Sequence, residues 1–323
     1  MSSNDTYGPR DLIGYGASPP DPKWPGGAKI AISFVLNYEE GSEITPVNGD
    51  ERSEHLASEL GPGAKPIEGG RNVNIESLYE YGSRSGVWRL LRLFKEHDMH
   101  LTSFAVAQAL DMNPAVAKAL VEAGHEVTSH GWRWVDRSGW TEDEEEEYVR
   151  KAIKSIKDQT GQPPRGWYYG MVESKAGARS RAIVAKVFKE DKLELKYWSD
   201  DYSDDLPYWI RYPGTDEAEE KGLCVVPYAL DTNDYKDGSH NSFLSPDAFF
   251  SYLKGAFDEL YREGQAGQAK MMSVGMHCRL VGRPGRLAGL RRFLEYVRGH
   301  DGVWVATREE IADHWKKTYP YKG

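Results

Sequence analysis

Short apolar runs of strand length alternate with stretches of helical spacing along most of this chain, and that alternation limits the folds open to it. Residues 29–36 (KIAISFVL), 100–106, 125–129, 223–228, 270–277 and 303–306 read as strands. Between and after them, 84–97, 114–123, 179–190, 246–263, 284–299 and 307–317 read as helices. Thr141-Glu-Asp-Glu144 is a capping box that opens a further, acidic helix with Val149, Ile153 and Ile156 facing inward. Continuous apolar runs, rather than alternating ones, belong to strands covered on both faces. Repeated strand-then-helix units predict a parallel sheet in a closed or distorted barrel. The 323 residues fit one such α/β barrel with extensions. No internal repeat and no boundary of a second domain is visible.

Two segments stand outside the pattern. Residues 1–27 are rich in Gly, Pro and polar groups and form an N-terminal arm without a core of its own, packed on the body or on a neighbour. The barrel then spans 28–323. Residues 41–75 are a long polar, Gly-rich insertion, and a loop of that length in a compact domain is usually functional or an interface. The acidic run Glu144–Glu147 reads as a solvated helix face.

Charge and cysteine content remove several function classes. A net charge of −9 argues against nucleic acid or an anionic membrane as partner, since both reward Lys/Arg clusters. The two cysteines, Cys224 and Cys278, cannot form a disulfide scaffold or a cysteine-based zinc site on their own. The first residues have no apolar core of a signal peptide and no long apolar span occurs, so a cytoplasmic location is expected.

In parallel α/β folds the working residues sit at the C-terminal ends of strands. Three strand ends here carry chemistry. After the first strand comes Asn37-Tyr38-Glu39-Glu40-Gly41, two adjacent carboxylates that suit a general base beside a metal or substrate ligand. His130 follows the 125–129 strand, and His277 ends the 270–277 strand with Arg279 and Arg283 behind it. Two aromatic segments add to these. One is Arg165-Gly-Trp167-Tyr168-Tyr169-Gly170. The other runs from Trp198 to Trp209 and interleaves four aspartates, Asp201 among them, with aromatic rings. Aromatic faces beside carboxylates suit a polar ring substrate, stacked on one face and hydrogen-bonded at its edge.

Taken in order, these segments resemble the polysaccharide deacetylase superfamily of NodB-homology, or carbohydrate esterase family 4, fold. Asn37-Tyr-Glu-Glu40 stands at that family's Thr-Phe-Asp-Asp motif, and His130-Gly-Trp-Arg-Trp134 at its His-x-x-x-His motif. Arg165–Tyr168, Asp200–Trp209 and Val274-Gly-Met-His277 stand at the remaining three. The longer stretches SHGWRW, PRGWYYG, DDLPYW, PYALDTND and HCRLVGRPGR resemble the branch of cofactor-independent allantoinases, from about Asp11 to the C-terminus. Fungal deacetylases of chitin oligomers belong to the same neighbourhood.

The resemblance implies a distorted (β/α) barrel and hydrolysis of an amide C–N bond. By alignment, Glu39 is the general base and His277 the acid that protonates the departing nitrogen. Glu40 and His130 would hold a metal or the oxyanion, and Trp134, Arg165, Trp167, Tyr168, Tyr169, Asp201, Trp209, Arg279 and Arg283 would line the substrate. Two departures bear on this. Trp134 replaces the second metal-binding His, so a zinc or other divalent ion would need Asp201, Asp205 or another residue as its third ligand. Met171 stands where the allantoinase-like branch is expected to carry an Arg for a ureide carbonyl. A deacetylase of N-acetylglucosamine units would use the metal, and an allantoinase-like enzyme would need none. A catalytically dead sugar-binding module is the third reading, against which Glu39 and His277 both persist. The substrate is a small molecule or an oligosaccharide, and relatives suggest a homo-oligomer such as a tetramer.

Overall fold

The computed structural model describes residues 10–56, 59, 63–171, 174–214, 221–235, 243 and 245–322. The chain opens with β1 (Ile30–Tyr38), α1 (Val73–Tyr81), a π-helical turn (Gly82–Gly86), α2 (Val87–His97) and β2 (Thr102–Ala105). It continues through α3 (Ala107–Met112), α4 (Pro114–Glu122), β3 (Glu126–Ser129), α5 (Glu142–Thr160), β4 (Gly166–Trp167) and α6 (Gly177–Glu190). It ends with β5 (Tyr197–Trp198), β6 (Tyr208–Arg211), β7 (Gly222–Val225), α7 (Pro246–Gln265), β8 (Lys270–His277), α8 (Pro284–Arg298), β9 (Val303–Val305) and α9 (Arg308–Thr318).

The strands form one sheet in the order β6-β7-β5-β4-β3-β2-β1-β8, with β9 also paired to β1. Its ladders are parallel except that between β6 and β7. The sheet curls, and the chain beyond β7 crosses back to β8. There Asn233 bridges Gly275 in parallel, and the Asp234 N–H donates to the Gly275 carbonyl at 3.0 Å. This is the distorted barrel that the strand–helix alternation predicts.

Strand periodicity decides what each face carries. Along β1, Ile30, Ile32, Phe34, Leu36 and Tyr38 pack into the large core cluster with Val87, Leu90 and Phe94 of α2 and Leu290 and Phe293 of α8. The alternate residues Ser33, Val35 and Asn37 are buried on the other face. Val35 clusters there with Phe104, Tyr168 and Tyr228. Lower in the barrel the buried Arg308 donates to Ser199 Oγ at 2.8 Å, to Ser273 Oγ at 2.9 Å and to the carbonyls of Val226 and Pro227.

Several expectations need correction. The insertion ends earlier than 75, because Asn72 caps α1 by accepting from the Ile75 N–H at 3.2 Å. That places Ile75 and Tyr79 inward at 1% exposure each. The helix expected over 84–97 is thereby only the second half of a longer one broken by the π-helical turn. The Glu144–Glu147 run is not wholly solvated: Glu145 is fully buried, 2.9 Å from Arg179 Nε and 3.5 Å from Arg137. The arm docks on the body through Trp24, whose Nε1 donates to the Lys270 carbonyl at 3.0 Å. The capping box holds, with Thr141 Oγ1 accepting from the Glu144 N–H at 3.2 Å and Glu144 Oε2 from the Thr141 N–H at 2.7 Å.

Candidate active site

The sheet register assembles the site. Tyr38, Ala105, Ser129, Trp167, Trp198 and Val225 form one transverse row across β1, β2, β3, β4, β5 and β7. Tyr38, Trp167 and Trp198 of that row pack into the core beneath the helices. On β1, β3 and β4 the next residue points the opposite way, into the barrel mouth. Those next residues include Glu39, His130 and Tyr168. His277 lies level with Asn37 on the neighbouring strand, so it and Arg279 join the same face.

The geometry centres on Glu39. Its Oε1 lies 3.2 Å from His130 Nε2 and 3.7 Å from His277 Nε2, and its Oε2 accepts from Arg279 Nη2 at 2.7 Å. Glu39, His130, His277 and Arg279 are 3%, 3%, 6% and 2% exposed, so the carboxylate and the guanidinium act in a dry environment where screening is weak. Burial pushes the Glu39 carboxyl up, but Arg279, His277 and His130 together hold it well below the usual carboxylate range. Asp234 orients His277: its Oδ1 lies 2.7 Å from Nδ1, and its Oδ2 accepts the N–H groups of His277 at 2.9 Å and Val281 at 3.0 Å. That leaves Nε2 facing Glu39. Tyr79 lies under the Arg279 guanidinium at 4.3 Å.

Aromatic rings wall the cluster. Tyr168 stacks on Phe104 at 4.5 Å and lies 5.0 Å from His130. Its hydroxyl is 3.1 Å from that of Tyr202, which donates to Asp200 at 3.1 Å. Burial raises the Asp200 carboxyl, against the Gly170 N–H and Tyr202 hydrogen bonds that lower it. Tyr235 covers His277 at 5.5 Å. A cavity of about 340 Å³ lies beside the cluster along the β7–β8 gap, sharing the walls Tyr202 and Tyr228 with it.

The structure thus brings together Glu39, His130, Tyr168, His277 and Arg279, and it sends other expected site residues elsewhere. Glu40, one residue past Glu39, points back toward the helices, where its Oε2 accepts from the Glu39 N–H at 3.0 Å and its Oε1 from the Arg279 N–H at 3.1 Å. Trp167 is fully buried beneath α6, edge-on to Phe188. Arg165 precedes β4, at the end of the barrel away from the mouth, and pairs with Glu194 at 3.7 Å. Tyr169 lies beneath the Arg137 guanidinium at 3.7 Å. Asp201 caps its own turn by accepting from Ser203 N–H at 3.0 Å. Trp209 donates to the Tyr319 carbonyl at 2.6 Å on the sheet edge. Arg283 lies over Tyr81 at 3.6 Å, and Trp134 packs on the Ile75–Tyr79 cluster.

Sequence reasoning missed Tyr79 and Phe104 and gave no site role to Asp200 or Asp234, although both lie in the stretches that carry the resemblance. Asp234 had a signal: it lies in the polar segment beyond the 223–228 strand, where the strand-end rule applies. Tyr79 had none, because most of its helix lies between the expected insertion and the helix expected over 84–97, in a stretch assigned to neither.

Residues 72–186 match the family described as polysaccharide deacetylase. A Schizosaccharomyces pombe protein classed by name with polysaccharide deacetylases is 43% identical over 98% of this chain and 100% of its own length. The chain belongs to the polysaccharide deacetylase family. A Pseudomonas aeruginosa structure, also classed by name with polysaccharide deacetylases, is 50% identical, covers 98% of this chain and 100% of its own, and superposes with a TM-score of 0.89. The structure of Puue allantoinase is 49% identical over 98% of this chain and 99% of its own, with a TM-score of 0.89. As a member of this family the protein is a hydrolase of carbon–nitrogen bonds other than peptide bonds. No helix among the described residues is long and apolar enough to cross a membrane.

The metal implied by the wider deacetylase family does not fit the residues present. Glu39, His130 and His277 approach one another, but among the described residues no group of three His, Cys, Asp or Glu side chains is placed so that it could hold an ion. Glu40 faces the helices, Trp134 has no ligand atom, and the Arg279 guanidinium already occupies Glu39. Asp201 is engaged in its turn, and Asp205 lines the adjacent cavity. No chemical step is therefore routed through a metal here.

Proposed function

We propose that the protein removes the N-acetyl group from N-acetylglucosamine units of short chitin-type oligomers by attack of water on the amide carbon. The observation that carries the hydrolytic reading is the single carboxylate, Glu39, shared between two imidazoles and a guanidinium in a dry barrel mouth. Water sits against Glu39 and His130, which align its lone pair on the carbonyl carbon. As the C–O bond forms, the water proton passes to Glu39, the general base. Held so low, Glu39 is a weak proton acceptor, and the hydrogen bond at His130 Nε2 keeps its carboxylate in place for the transfer. The oxyanion is stabilised by fixed N–H donors and the positive charge around it. His277, fixed by Asp234, delivers a proton from Nε2 to the departing nitrogen as the C–N bond breaks. The deacetylase names of the relatives and Met171 at the position expected to carry a ureide-binding Arg support the acetylated sugar as substrate.

A second reading, hydrolytic ring opening of a cyclic ureide, is favoured by two observations: the donor set does not suit a metal, and the likeness to Puue allantoinase is close. One assay separates them. Purified protein is incubated with an equal mix of chitin tetramer and allantoin and followed by mass spectrometry. Loss of acetyl mass from the oligomer supports the first reading, gain of one water by allantoin the second, and neither change removes both.

The same reading includes a homo-oligomer, such as a tetramer, in the cytoplasm. Exposed Leu12 and Ile13 on the arm and Val47, Ile67 and Val73 on and beside the insertion support self-association. Light scattering in solution checks it, and a monomer at assay concentration rejects it.

A further inference from the structure

Glu40 is fully buried yet takes no part in the chemistry proposed above. Burial raises its carboxyl, partly opposed by Arg279. Its two oxygens are spent on two backbone groups from different strands: the Glu39 N–H at the end of β1 and the Arg279 N–H just beyond β8. The Arg279 Nη1 lies 3.6 Å from the same carboxylate. One side chain thus ties the base-bearing strand to the strand end that carries His277 and Arg279.

What makes room for it is the π-helical turn. Val87 donates to the Gly82 carbonyl, five residues back, which widens the helix locally. A Cβ on Gly82 would fall 2.3 Å from Glu40 Oε1 and 2.6 Å from its Cγ. A Cβ on Gly86 would fall 2.0 Å from the Cys278 carbonyl oxygen, and one on Gly282 2.1 Å from the same atom. Gly82 has ordinary helical dihedrals, φ −59° and ψ −47°, so it is the close approach and not the backbone conformation that calls for glycine. The helix backbone therefore rests directly on Glu40 and on the 277–282 segment.

We propose that Glu40, seated on Gly82 of the π-helical turn, is a positioning residue that clamps the ends of β1 and β8 and so sets how Arg279 holds Glu39. This rests on the hydrolase reading of the cluster, and it gives Glu40 a task other than metal binding. Gly82→Ala drives a methyl group into the carboxylate. Glu40→Gln keeps the shape but leaves one oxygen for two N–H donors, so one tie is lost.

The test compares both variants with the wild-type protein in three measurements. In steady-state kinetics kcat falls about 10- to 100-fold with KM within about twofold, as expected for a shift of reacting groups by a fraction of an ångström. In Gly82→Ala the acid limb of the kcat/KM profile also moves to higher pH, because Arg279 holds Glu39 less tightly. A loss of folded protein alone would lower both rates without moving the profile. In hydrogen exchange the Arg279 or Glu39 amide of each variant exchanges at least about tenfold faster. Wild-type exchange at both amides overturns the proposal, as does Zn²⁺ binding in calorimetry that Glu40→Gln abolishes, since Glu40 would then be a ligand. If the wild-type protein turns over neither substrate, both substrate readings fail while the exchange data still decide the clamp. Should Gly82→Ala not fold, the isosteric Glu40→Gln carries the test.

Discussion

Arg279 donates from Nη2 to Glu39 Oε2 at 2.7 Å, and both side chains are almost completely buried. A buried carboxylate on this guanidinium is charged at all ordinary pH, and the pair cannot be broken from one side without leaving an isolated charge behind. Arg279→Gln is therefore expected to cost about 3–5 kcal/mol of stability at neutral pH. Linkage gives the sign with pH. The folded Glu39 carboxyl lies below its unfolded value, so its contribution is present above the unfolded pKa and fades as pH falls toward the folded one. The gap between wild type and Arg279→Gln in urea unfolding should narrow on acidification, and a constant gap would contradict the pairing.

Asp234 fixes the orientation of the His277 ring, Nε2 toward Glu39, through the 2.7 Å contact at Nδ1. Asp234→Asn preserves the shape but offers an NH₂ or a neutral oxygen to that nitrogen. We expect kcat to fall about 10²-fold or more with KM little changed, in line with other enzymes whose His loses an orienting carboxylate. Equal kcat in the two proteins would remove Asp234 from the mechanism.

Much of this arrangement is legible in the sequence. The apolar runs predict the parallel strands, and the strand-end rule then points to Glu39, His130 and His277. What it leaves out has physical causes. Strand parity separates Glu39 from Glu40 and Tyr168 from Trp167, and parity depends on register, which no single strand of two residues such as β4 reveals. Arg165 lies at the wrong end of the same short strand. Asp234 reaches His277 only because an irregular segment crosses the β7–β8 gap. The helix carrying Tyr79 straddles the end of the expected insertion and a stretch to which the sequence pattern assigns no element.

That parity yields a contrast between neighbours. Trp167→Ala opens a void in the core under α6 and should cost about 3–5 kcal/mol in denaturant unfolding, with KM of the folded enzyme unchanged. Tyr168→Ala removes the ring that stacks on Phe104 and faces His130, and it should lower kcat/KM directly. The reverse assignment of effects would mean the register is misread.

Glu43 offers a pH test outside the chemistry. Burial raises its carboxyl to about 7, against hydrogen bonds such as that from the Gly41 N–H at 2.7 Å, which lower it. With the folded pKa above the unfolded one, ionising Glu43 costs stability. The cost is absent below the unfolded pKa of about 4.3, grows between there and the folded value, and is complete above it, at up to about 3 kcal/mol. Glu43→Gln should therefore match wild type in melting temperature near pH 4 and exceed it progressively up to pH 8. A difference that shrinks with rising pH would contradict the burial of this carboxylate.

The most direct measurement is turnover by Glu39→Gln beside wild type, on chitin tetramer and allantoin, each with and without a chelator. The substitution keeps the shape of the side chain and removes the charge that His130, His277 and Arg279 converge on. The account predicts that the variant folds but loses about 10³-fold or more in kcat on the substrate that wild type uses, the scale of losing a general base together with the charge it supplies. It also predicts that the wild-type rate is indifferent to the chelator. A variant that retains the wild-type rate, or a wild-type rate abolished by chelation and restored by Zn²⁺, would contradict it.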